Sequence, residues 1–140
     1  VGLILGCAAD AFLPNANLAT VKVLQENGCE VWIPKSQGCC AALHHHAGLD
    51  SEAKKFAAAN CKAFESGLGE GPGKLDAIIN NAGGCGPVLK EYDHLLHGTE
   101  FENLGKSFAS KDRNPEKLLS IYNEQSNKRF GKQEFYRRVP

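Results

Sequence analysis

Three short apolar runs, each followed within a few residues by cysteine, constrain this chain more than any other feature. Val1-Gly2-Leu3-Ile4-Leu5-Gly6 leads into Cys7, Glu30-Val31-Trp32-Ile33-Pro34 into Gln37-Gly38-Cys39-Cys40, and Leu75-Asp76-Ala77-Ile78-Ile79 into Gly83-Gly84-Cys85-Gly86. Such runs read as buried strands, here over residues 1–7, 29–34 and 75–80. Between the first two, residues 17–27 read as a helix after a loop at 8–15. Asn17 suits its N-cap, Leu18, Val21 and Leu24 recur every third residue, and Gly28 closes it. A helix between two short strands is the βαβ pattern, whose crossover is right-handed.

Residues 41–47 read as a turn or short helix, and residues 50–66 give the clearest helix. There Ala53, Phe56, Ala57, Cys61 and Phe64 form an apolar stripe, with Glu52, Lys54, Lys55 and Lys62 outward. Pro87 stands at a favourable first helical position, ahead of Val88, Leu89, Tyr92, Leu95 and Leu96. The expected fold is α/β: a small Rossmann-like three-layer domain over residues 1–97 with a short parallel sheet of order 2-1-3. Residues 98–140 read as a polar, weakly basic tail or linker, with a short helix from Pro115 to Tyr122. The sheet order puts the switch point beside Cys7. Strands are ~4.8 Å apart, so loops leaving three strand ends can meet within ~10 Å.

The charges balance to zero, which gives no whole-chain attraction for nucleic acid or an anionic membrane. The basic end of the tail (Lys128, Arg129, Lys132, Arg137, Arg138) is too sparse for a nucleic-acid site and better suits docking to a partner subunit. No apolar run approaches the ~18 residues of a transmembrane helix. Leu3-Ile4-Leu5-Gly6-Cys7 has the look of a lipoprotein cleavage box, but the apolar stretch is short and no basic residue precedes it. A start at Val1 and the absence of Met point to a piece of a longer protein. No Gly-x-Gly-x-x-Gly or Walker pattern supports a nucleotide site.

Six cysteines are many for a chain of 140 residues, yet Cys39 and Cys40 are adjacent. Their Cα atoms lie ~3.8 Å apart, below the usual ~4.4–6.8 Å of a disulfide, so reduced thiols acting as ligands or redox groups are expected. Cys7, Cys39, Cys40 and Cys85 all fall in glycine-containing loops. They supply the four thiolates that iron–sulfur centres commonly use. Zinc remains an alternative, although paired Cys-x-x-Cys spacing is missing. A metal-free docking module, or a thiol–disulfide redox protein with a reactive cysteine, also remains open. Cys29 opens a strand and Cys61 lies on a helical stripe, so both read as core. His44 and His45 read as solvated. His46, Gly38, Gly84, Gly86 and Lys90 are candidates for supporting the site, Lys90 by offsetting charge.

Cys7, an interval of 31 residues, the Cys39-Cys40 pair with Ala41-Ala42-Leu43 and His46, then Ala82-Gly83-Gly84-Cys85-Gly86 through Lys90-Glu91-Tyr92 form a specific combination. Over about residues 1–97 it resembles the cysteine-rich (CCG) domain of the heterodisulfide reductase and glycolate oxidase iron–sulfur subunit family. The resemblance implies a [4Fe-4S] cluster and an electron-transfer role without independent turnover. It also implies FAD-containing glycolate oxidase subunits as partners, oxidising glycolate to glyoxylate. The location it implies is a cytoplasmic complex able to associate peripherally with a membrane. Related members act on lactate or glycerol 3-phosphate. The fuller family pattern has cysteine where this chain has Ala82, and often glycine where it has Ala41.

Overall fold

The first apolar run forms β1 (Gly2–Ile4), which pairs in parallel with β2 (Ile78–Asn80), Gly2 opposite Ile78 and Ile4 opposite Asn80. This computed structural model describes residues 1–113; the helix expected over Pro115–Tyr122 and the basic chain end lie outside the described residues. In chain order the helices are α1 (Cys7–Phe12), α2 (Pro14–Glu26), α3 (Ala42–His46), α4 (Asp50–Phe64), α5 (Cys85–Lys90), α6 (Tyr92–Leu95) and α7 (Glu102–Lys111). A third strand, β3 (Asp112–Arg113), follows α7 directly and pairs in parallel with β2.

Alternation along the strands sorts the core into two layers. Leu3 and Ile79 face one way and pack with Leu24 of α2, Cys29 and Ala77. Ile4 and Ile78 face the other way, beneath α4 to α7, with Phe64, Val88, Leu89, Tyr92, Leu96 and Phe108. The result is a short parallel sheet with helices on both faces. Phe64 meets both Trp32 and Phe108 edge-on at 5.6 Å, and Phe108 lies 5.1 Å from Tyr92.

The strand expected over 29–34 is reduced to one bridge, at Trp32. Trp32 N–H donates to Val1 O at 2.8 Å, and Leu3 N–H to Trp32 O at 3.0 Å. The next rung would need the N–H of residue 34, which is proline and has none. The side-chain amide of Gln37 takes that rung instead: Nε2 donates to Leu3 O at 3.1 Å, and Oε1 accepts from Leu5 N–H at 2.9 Å. The named strands run β1-β2-β3, and the Trp32 bridge lies on the edge of β1 away from β2. The neighbours that the 2-1-3 order expects flank β1, but the 29–34 member is a bridge and not a strand.

Three further expectations are corrected. The loop at 8–15 is mostly helical, and Asn17 is no N-cap: α2 starts at Pro14, and Asn17 is buried, donating to Leu5 O at 3.0 Å. On α4 the inward face carries Asn60 in addition to Ala53, Ala57, Cys61 and Phe64, while Phe56 turns outward against the His44 ring. Residues 98–113 do not begin a tail. They supply α7, which buries Phe108, and the strand β3. Glu102 steadies the start of α7 by accepting from Gly98 N–H and Lys106 Nζ, which hold its carboxyl down to about 2.

Gly105 lets α7 lie directly on α6. A Cβ there would meet Tyr92 O at 2.7 Å and Leu96 Cδ1 at 3.1 Å. Alanine in a helix ordinarily gains ~1 kcal/mol over glycine, but a clash with a backbone oxygen cannot relax by a rotamer change. Gly105→Ala is expected to cost about 1–3 kcal/mol, read as a lower urea midpoint at unchanged slope.

Candidate metal centre

All four loop cysteines arrive at the end of the sheet where β1 and β2 finish. Gly6, at φ 74°, turns the chain out of β1 so that Cys7 becomes the first residue of α1. Cys85 is likewise the first residue of its helix, α5, which follows β2 through Gly84 in ordinary right-handed backbone (φ −77°). Cys39 and Cys40 precede α3, whose N-cap Ala41 has φ 71° and is the one non-glycine residue at positive φ among the described residues. Left-handed backbone costs roughly 1–2 kcal/mol for a residue with a Cβ, so this turn is held against its own preference.

The sulfurs form two pairs. Cys7 Sγ donates to Cys39 Sγ at 3.6 Å, and Cys40 Sγ to Cys85 Sγ at 2.8 Å. All six cysteines are free thiols. Cys7 is exposed, Cys39 and Cys85 are half-buried, and Cys40 is buried, so the group opens to solvent on the Cys7 side. Backbone N–H groups aim at sulfur: Ala41 N–H reaches Cys39 Sγ at 3.4 Å, and those of Ala8 and Ala42 stabilise the thiolates of Cys7 and Cys40.

The thiols behave as one electrostatic group. Cys40 donates to Cys85, which drives the Cys40 pKa well up, with burial adding to the shift, and brings that of Cys85 down. The charges of Cys7 and Cys39 oppose ionisation of Cys85, and the bond to Cys39 raises Cys7. Across a large separation such mutual effects would vanish.

Beneath the pair sits a polar network that periodicity does not reveal. Asn60 Oδ1 accepts from Gly38 N–H at 2.8 Å, and its Nδ2 donates to Cys39 O at 2.8 Å and to Tyr92 Oη at 3.1 Å. Tyr92 Oη in turn donates to Cys40 O at 3.0 Å. Beside Cys7 and Cys85, Asn17 takes the amide of Asn81 at 2.9 Å, and Asn80 donates to Asp112 Oδ1 at 2.9 Å. The only hint of these roles in the sequence is a polar residue at a position where the pattern wants an apolar one.

Gly38 enters the site through its N–H, and Gly84 caps α5. Gly86 passes Asn80 so closely that a Cβ would lie 3.3 Å from Oδ1. His46 and Lys90 are both exposed, and among the described residues neither hydrogen-bonds a thiol. His45 instead faces Asp50 at 3.3 Å. Cys29 lies in the opposite core layer, and Cys61 is buried on α4, its thiol pushed up to about 12 by desolvation. Among the described residues no three His, Cys, Asp or Glu side chains stand ready around a single ion. Two thiolates on one tetrahedral zinc are ~3.8 Å apart, given Zn–S ≈ 2.3 Å. The Cys7–Cys39 pair is close to that spacing and the Cys40–Cys85 pair is well inside it. The donor set, all sulfur with N–H groups aimed at it, fits an iron–sulfur centre.

Fold and site together define a small α/β domain built to gather thiols at one sheet edge. Residues 1–90 match the model of the cysteine-rich domain family, CCG, and the chain belongs to that family. It is 46% identical over 107 residues to the "Probable glycolate oxidase iron-sulfur subunit" of Bacillus subtilis, across 76% of this chain and 23% of that protein. It is 32% identical over 112 residues to "Lactate utilization protein A" of Geobacillus thermodenitrificans, across 79% of this chain and 44% of that protein. The Bacillus velezensis protein of the same name is 34% identical over 96 residues, 69% of this chain and 37% of its own length. The chain thus spans less than half the length of these relatives. No solved structure matches it.

Proposed function

We propose that this chain is an iron–sulfur electron-transfer domain of an oxidoreductase complex, with Cys7, Cys39, Cys40 and Cys85 as ligands and a [4Fe-4S] cluster as the group they hold. The observation that carries this reading is the meeting of three separate cysteine loops at one sheet edge as two thiol pairs, with backbone N–H groups directed at sulfur. Such a group carries single electrons, and hydrogen bonds to sulfur and solvent exposure set its potential. This chain's residues supply the grip, the donors and a shielded side at Cys40, while the Cys7 side stays open.

The relatives' names support placing the domain in a multi-subunit oxidoreductase acting on glycolate, with lactate as the related alternative, and FAD-containing subunits are the partners we propose for it. Helices on both faces of a parallel sheet support a Rossmann-like description of the fold. Among the described residues no helix is long and apolar enough to cross a membrane. We place the complex in the cytoplasm, with peripheral membrane association where a partner subunit provides it.

Anaerobic purification followed by iron and acid-labile sulfide analysis tests the proposal. A brown protein with broad visible absorption and matching iron and sulfide is expected. Stoichiometric zinc, or a colourless protein after reconstitution, would replace this reading with a zinc site or a metal-free docking module.

A further inference from the structure

Asn60 lies on the apolar face of α4 with no exposure at all, where an unbonded amide would be strongly destabilising. Every one of its polar atoms is used, and all of them lead to the cysteine pair: directly to Gly38 N–H and Cys39 O, and through Tyr92 Oη to Cys40 O. Backbone groups of three consecutive residues are thereby pinned from below. The amide orientation is fixed by this pattern, because Gly38 N–H requires an acceptor and Cys39 O a donor. What the pinning leaves is the strained turn at Ala41, with the Ala41 and Ala42 N–H groups facing the sulfurs of Cys39 and Cys40. Tyr92 is in turn immobilised by Phe108 and by the close approach of Gly105 to its carbonyl.

We infer that Asn60 and Tyr92 are positioning residues for the metal centre: they hold the Cys39–Cys40 turn, and with it the N–H donors on two ligand sulfurs, and so set both the retention and the reduction potential of the bound group. This rests on the reading that the four thiols hold an iron–sulfur centre. An N–H dipole aimed at sulfur stabilises the negative charge added on reduction, and so raises the potential. A turn freed from its clamp disperses those donors, and the potential falls. Outer-shell partners of metal ligands characteristically change affinity by about 10–100-fold when removed.

The test uses the full chain as Tyr92→Phe, which keeps the ring, and Asn60→Ala, with Leu24→Ala as a variant that weakens the opposite core layer without touching the turn. In anaerobically reconstituted protein, both clamp variants are expected to titrate at a more negative potential than wild type. They are also expected to lose iron to a chelator about 10–100-fold faster. Leu24→Ala is expected to lower thermal stability and leave the potential where it was. A wild-type potential and wild-type iron retention in Tyr92→Phe, or an equal shift in Leu24→Ala, would overturn the inference. Metal-free protein gives a second readout, the rate at which Cys40 is alkylated, resolved by peptide mass spectrometry. Cys40 is buried in wild type and is expected to react faster in both clamp variants only. A wild-type protein that takes up no iron or sulfide would refute the reading of the centre. Unchanged Cys40 labelling would refute the clamp whether or not iron binds.

Discussion

Phe108→Ala is expected to destabilise the domain by about 3–5 kcal/mol, the cost of deleting a fully buried aromatic ring. The ring touches Tyr92 at 5.1 Å and Phe64 at 5.6 Å, and has no exposed surface. Its loss would leave α7 held by Leu104 at the edge of the core, by the close contact at Gly105 and by Lys111, whose ammonium donates to Leu75 O at 2.7 Å. Small domains have roughly 5–15 kcal/mol in total, so a large share of the folding free energy would be lost. Equilibrium urea unfolding followed by circular dichroism measures the change. A loss under about 1 kcal/mol, the range of surface substitutions, would mean that residues 98–113 are not part of the cooperative unit.

Cys39→Ala is expected to abolish assembly of the iron–sulfur centre, while Cys61→Ala retains it in full and loses only packing. The contrast follows from position. Cys39 Sγ sits within 3.6 Å of Cys7 and accepts an N–H from Ala41, whereas Cys61 is sealed in the core on α4 with its thiol pushed up to about 12. Cys61 has no exposed surface and takes part in neither thiol–thiol contact, so it offers an incoming metal neither access nor a second sulfur. Cys29, in the other layer, should behave like Cys61. Iron and sulfide analysis after reconstitution measures the result. Equal loss in the Cys39 and Cys61 variants would show that metal uptake depends on the fold in general and not on the clustered thiols.

The sequence read best where chemistry and punctuation coincided. The cysteine loops follow apolar runs and contain glycine, so their convergence at one edge could be argued from strand spacing alone. What escaped was the polar scaffold. Asn60 occupies a slot on a helical stripe that composition assigns to apolar residues, and nothing local to α4 marks it as facing Gly38. Gln37 completes a ladder that Pro34 interrupts, a role defined only once β1 lies alongside. Residues 98–113 read as tail because Phe108 and Gly105 are separated by polar positions. Their value comes from a surface supplied by α4 and α6, which periodicity within the segment cannot register.

The four sulfurs come from chain positions as remote as Cys7 and Cys85, on loops that short strands hold only lightly. A centre gripped by all of them would act as a multi-way cross-link, removing loop-closure entropy from the unfolded chain as a set of disulfides does. Cofactor occupancy and cooperativity of folding would then be linked. A cell short of iron would accumulate a looser, more protease-sensitive chain, so supply of the metal would govern how much of the protein persists.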